Sequence, residues 1–344
     1  MTAGEDLGVT LIRPTVEAAD TSGPGRRPGT RRAVAVLALV LLAALIPLLG
    51  PSAALHDTGE AAAPGVGGIA LLRAVLFAAL CVPLGELFVN RLARTVPGAP
   101  PNGPRSWALY AAGAGFVAAL GLASVVATGN LVPHSLAEID VGGLYQSRDG
   151  KLALLEVNGF AVAALCARSR RPALQVWPLA AVVLAEALRA HPVGEHSALV
   201  GSELTLVHLT CAALWVGGLL HALRTLRQWR DSAAGAALLG LYARVAAVLL
   251  AAITATGVWS SLRRMPAGTI LDQLTTTAYG RTLLAKVLLV ATVAVLALWA
   301  RHRLRRATDP LAACSPARAE VVVLGVVVVV SGLLTALPVP IRWH

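Results

Sequence analysis

Between Glu203 and Leu223 the chain reads ELTLVHLTCAALWVGGLLHAL, an apolar stretch interrupted by His208 and, one turn on, Cys211. Imidazole and thiol are ligands for soft or borderline transition metals. With Trp215 at i+7, the three fall on one face of a helix of 3.6 residues per turn. Gly217 and Gly218 follow, small enough to let a neighbouring helix come close. At roughly 1.5 Å per residue the stretch can cross a bilayer as a helix. An ionisable side chain inside hydrocarbon is costly and points to function. The competing reading is a histidine bonded to a polar group on an adjacent helix.

The elements that must position these residues are legible from composition. Of 344 residues, 56% are hydrophobic and 14% charged, with mean hydropathy +0.71. A soluble chain carries nearer a quarter charged residues. Several apolar runs reach the length of a membrane span, so the fold class expected is all-α, a polytopic transmembrane bundle. A Val-rich run near the C-terminus has strand propensity in water, but an unpaired strand cannot satisfy its backbone in lipid, so it too reads as a helix. The net charge of +11 does not indicate nucleic acid, because the arginines gather in short loops between apolar runs. The four cysteines show no CxxC or other paired spacing, which excludes a recognisable disulfide framework or zinc motif.

Residues 1–30 read as a disordered cytoplasmic tail, polar and rich in Gly, Pro, Thr and Arg. Arg26, Arg27, Arg31 and Arg32 precede the apolar run 33–50, and Ser52-Ala53-Ala54 follows it. That order fits either a retained first helix or a cleaved signal. The acidic leading region, with Glu5, Asp6, Glu17 and Asp20, favours retention. Eight further spans are expected near 67–89, 106–128, 152–168, 173–190, 200–222, 239–262, 279–300 and 319–337. This makes about nine in all, or eight if the first is removed. The regions are then a tail at 1–30, N-terminal transmembrane helices at 31–199 and a second transmembrane region at 200–338.

With the N-terminus inside, the cytoplasmic segments hold 19 of the 29 Lys and Arg residues. The asymmetry follows the positive-inside rule in every successive pair except the Arg263/Arg264 loop. The expected topology is therefore N-terminus inside and C-terminus outside. It places His56, His134, His191, His196 and His344 on the outer side and His208 about two turns below that surface. Acidic residues share the outer loops: Asp57 and Glu60, Glu138 and Asp140, and Glu195. Imidazole beside carboxylate suits copper or zinc, although a single loop histidine is more often an ordinary surface residue. His191 and His196, which lead directly into the helix bearing His208, are the strongest candidates of the set.

Three cations lie within spans. Arg73 and Arg244 are near helix ends and read as snorkelling anchors. Lys286 is deeper and calls for an acidic partner, for which Glu156 and Glu186 have matching depth. Such a pair either locks helices together or forms an ion path beside His208.

Residues 200–338 resemble the copper resistance protein D (CopD) family of bacterial inner-membrane proteins. The resemblance rests on HLTCAALWVGGLL at 208–220, YARVAAVLLAAITATGVW at 242–259 with Thr256-Gly257, TTAYGRTLLAKVLLV at 276–290 and ARAEVVVLG at 317–325. It implies copper tolerance or copper passage across the cell membrane, with outer-side histidines receiving the ion. On this chain those are His191, His196 and His208, with Cys211 beside them, and Met265 in an outer loop as a further possible ligand. Copper is then bound or transported rather than catalytic, and no enzymatic role is expected. Membrane lipid and an outer-side copper carrier protein are the expected partners, with no nucleic acid. Methionines are too few (Met1 and Met265) for a Cu(I) ladder. No GxxxxGK[ST] loop, GxSxG elbow or HExxH motif occurs.

Two other classes stay open. A haem-bearing electron-transfer protein would need two histidines at matched depth, and only His221 with His302 offers an inner pair. An assembly or sensing partner of another copper protein would use the helices as a docking surface.

Overall fold

The computed structural model describes residues 28–129, 132–133, 135–191, 197–229, 233–265, 268–306 and 314–338. Among them every regular element is helical. The described residues fall into two units, one ending at Leu41 and the other beginning at Leu42. The long helix α1 (Pro28–Leu55) runs through the boundary. In the first unit its residues Val34, Leu37, Leu39, Val40 and Leu41 are exposed, an apolar surface suited to lipid.

The second unit contains the rest of α1, then α2 (Val66–Ala93), α3 (Ala108–Ala127), a short α4 (Val141–Gln146) and α5 (Arg148–Arg168). After these come α6 (Val176–Arg189), α7 (Ala198–Gln228), α8 (Ala233–Arg264), a short α9 (Ile270–Thr276), α10 (Ala278–Arg306) and α11 (Cys314–Ala336). Eight of the described helices are long and apolar enough to span a membrane. The expected span at 173–190 differs: a 3₁₀ turn at Pro172–Gln175 leads into α6, whose 14 residues fall short of the roughly 20 a span requires. Pro172, which has no backbone N–H to donate, sits at the first position of that turn.

Apolar residues face both ways, as lipid demands. On α10 Leu284, Val287, Leu288, Val295 and Leu298 form an exposed row, while Val293 is fully buried. Hydrophobic burial does not drive helix association in lipid, so close backbone approach matters more. At Gly85 and Gly217 the chains of α2 and α7 touch, and a methyl group on either would overlap backbone atoms of the other helix. α2 also packs along α3 and α11, which makes it a central post. The main cores join Leu76, Leu80, Phe160, Leu179 and Val182 on one side with Trp215, Leu219, Leu238, Tyr242 and Leu324 on the other.

Candidate functional site

His208 lies ten residues into α7, and its Nδ1 is 3.0 Å from the Thr256 hydroxyl on α8. That hydroxyl is 2.7 Å from the Ala252 carbonyl, to which it donates. It also lies 3.1 Å from the Ile253 carbonyl. With its one proton given to its own helix, its oxygen accepts in the tautomer of His208 that carries hydrogen at Nδ1. The neutral ring then keeps a lone pair at Nε2. A second-shell donor bond of this kind is what orients a metal-ligating histidine. Gly257, the next residue, faces the ring, and a Cβ there would meet its Cε1 at an ordinary contact distance of 3.5 Å. Both residues of the Thr256-Gly257 pair thus lie against His208.

The ring lines a cavity of about 220 Å³ enclosed by α2, α6, α7, α8, α10 and α11. This far exceeds the roughly 10–15 Å³ that holds one water. Cys81, Thr205, Ser260, Tyr279, Lys286 and Ser331 share its wall. Arg264 enters at the end of α8, where its Nη1 donates to the Tyr279 hydroxyl at 3.2 Å.

Charge pairing departs from the sequence expectation. Lys286 pairs with neither Glu156 nor Glu186; among the described residues it makes no ion pair or hydrogen bond. Both carboxylates turn to Arg189 instead, at 3.1 Å for Glu156 and 2.8 Å for Glu186. Arg73 completes the group at 3.9 Å from Glu186, so it is a member of a buried cluster rather than a snorkelling anchor. Two cations therefore balance two carboxylates where α2, α5 and α6 meet, leaving none for Lys286. An expectation from sequence depth alone carries no information on which way each helix turns.

The candidate metal ligands divide. His191 is buried where it follows α6, with Nε2 3.0 Å from the Thr205 hydroxyl, three residues before His208 on α7. Thr205 and His208 both line the cavity, so His191 stands at its edge. His196 and His134 lie outside the described residues. Cys211 packs with the buried group that includes Trp215, Leu249 and Ile253, and the thiol that lines the cavity is that of Cys81 on α2. Met265 is fully buried beside Tyr279 and Leu334. His56 is exposed and pairs with Asp57 at 2.8 Å. No group of three or more His, Cys, Asp or Glu converges on one point among the described residues.

A second polar cluster, unanticipated from sequence, lies toward the other end of α7. Glu86 accepts from Ser106 Oγ at 2.5 Å, Trp107 N–H at 2.8 Å and Arg224 at 3.0 Å. The Arg224 guanidinium stacks 3.6 Å from the centroid of Trp107 and also donates to the Arg105 carbonyl. His221 is buried nearby and bonds Asn90 at 3.1 Å, whereas His302 is exposed. The Glu86 carboxylate and the Arg224 guanidinium are satisfied within the protein, while His221 Nδ1 lies 3.9 Å from Glu86 without a hydrogen bond. The cluster acts as a clamp tying α2, α7 and the lead into α3 together. His221 and His302 share no environment that would hold a haem between them.

Fold and cavity together define a polytopic helical membrane protein whose bundle holds a largely apolar cavity with a few charged and polar groups on its wall. Residues 236–334, less than a third of the chain, match the family described as Copper resistance protein D, and over this stretch the chain is similar to that family. The match includes α8 from Ala236 on, α9, α10 and most of α11. No curated protein and no solved structure matches the chain.

Proposed function

We propose that this copper-resistance membrane protein passes copper ions through the cavity, with His208 Nε2 as the first ligand inside the hydrocarbon. The observation that carries the reading is the 3.0 Å contact of His208 Nδ1 with a Thr256 hydroxyl that has carbonyls of its own helix to donate to, an arrangement suited to a tautomer with Nε2 free for a metal. His191 and His196, before the start of α7, collect copper that a carrier protein delivers and pass it on to His208. Cys81 offers a second soft donor across the cavity. Cys211, one turn from His208, takes part by packing α7 against α8. Two or three transient ligands suit passage better than storage, since an ion that must leave cannot be held by a closed set. The Glu156–Glu186–Arg189–Arg73 group holds the α6 side of the path in place. The membrane potential supplies ~2.3 kcal/mol per charge per 100 mV, sufficient to draw a cation inward without a nucleotide.

The test is copper uptake into cells or sealed vesicles, run beside zinc. His208→Ala should abolish the protein-dependent copper flux while the protein still inserts at normal level. Undiminished flux in that variant would reduce His208 to a packing residue.

A further inference from the structure

Lys286 and Arg264 face the cavity with no ion pair to a carboxylate among the described residues. The other charged pair on the wall, Arg73 and Glu186, is already neutralised within its own cluster. A lysine two turns inside a span must shed its proton or keep a counter-anion. Arginine has only the second course, because it is not deprotonated in proteins.

Donors are also in surplus. Arg264 gives one N–H to the Tyr279 oxygen, which leaves the phenolic proton and the remaining guanidinium N–H groups unused. Ser260 lines the same wall with no hydrogen bond from its hydroxyl among the described residues, and Lys286 contributes three more donors. Ser261, Ser331 and Thr335 do not add to the surplus, since each donates to a carbonyl of its own helix.

We propose that the cavity is an anion site, taking a small oxyanion of the phosphate or carboxylate class between Lys286 and Arg264, with Tyr279 and Ser260 as supporting donors. An oxyanion presents several acceptor oxygens to this crowd of donors, and the cavity has the volume for one. Copper that reaches His208 then does so beside bound negative charge rather than against two bare cations.

The experiment uses the full chain in a phosphate-free sugar detergent, with copper removed by chelation, so that its outcome is independent of transport. Thermal unfolding is followed as inorganic phosphate or acetate is added, with ionic strength held constant by chloride. The wild type should show a saturable rise in midpoint of about 2–5 °C. Lys286→Met should lose that rise, while Lys286→Arg should retain it in part. Phosphatidylglycerol in the micelle gives a further arm: a rise with lipid alone identifies the oxyanion as a headgroup phosphate. A wild type insensitive to phosphate, acetate and lipid overturns the proposal, and so does an equal rise in Lys286→Met. Lys286→Met should also melt no lower than wild type in phosphate-free buffer, because it removes an uncompensated charge.

Discussion

His208 and Thr256, 48 positions apart in the chain, are joined at 3.0 Å across the α7–α8 contact. Thr256 has the Ala252 and Ile253 carbonyls of its own helix to donate to, which favours the imidazole tautomer that carries hydrogen at Nδ1. In that tautomer the helix pair holds a nitrogen lone pair at a largely apolar cavity with a few polar groups on its wall.

Thr256→Val keeps the shape of the side chain and removes its oxygen. Losing the bond should cost about 1 kcal/mol of stability. Loss of an orienting partner typically weakens metal affinity 10–100-fold. We therefore expect protein-dependent copper uptake to fall about tenfold with membrane levels intact. Uptake equal to wild type would mean that the ring needs no such support.

Cys81 and Cys211 should separate under thiol labelling. Cys81 shares the cavity with His208, whereas Cys211 sits in the α7–α8 packing. Cu(I) added to the purified protein should slow alkylation of Cys81 and leave the rate at Cys211 unchanged. Protection of Cys211 alone would move the copper route to the other face of α7.

Arg189 neutralises two buried carboxylates, at 3.1 and 2.8 Å. Breaking a buried ion pair from one side costs about 3–5 kcal/mol. Arg189→Met should therefore sharply lower the melting temperature and the amount of protein in the membrane. Adding Glu156→Gln should restore part of both. A single variant as stable as wild type would show that the cluster is already neutral without its arginine.

Much of the architecture was readable along the chain. Eight of nine expected spans coincide with described helices, because hydrocarbon forces each crossing segment to satisfy its own backbone and so imposes a minimum apolar length. The shortened α6 is where that logic met Pro172 and a 3₁₀ turn. Gly217 was flagged as a place for close approach, and α2 does approach there, with Gly85 as its counterpart. The partner glycine was not legible, since nothing in a sequence of this kind says which span lies beside which.

The side chains around His208 show the same division. At 100° per residue, Thr205, Leu209, Ala212 and Val216 lie on one side of His208 and line the cavity. Cys211 lies about 60° to the other side, near enough to share a broad face in a periodicity argument but turned away from the arc that Thr205, Ala212, Val216 and Leu209 give to the cavity.

By itself the sequence determined that this is an all-helical membrane protein, where its spans run, and that His208 stands within one of them. These follow from hydropathy and length, which act locally along the chain. Only the tertiary structure decided that Thr256 orients His208, that Cys81 faces the chamber, and that Arg189 takes both carboxylates and leaves Lys286 without one. Those outcomes depend on the rotation of each helix about its axis and on its neighbours, quantities set by packing between distant segments.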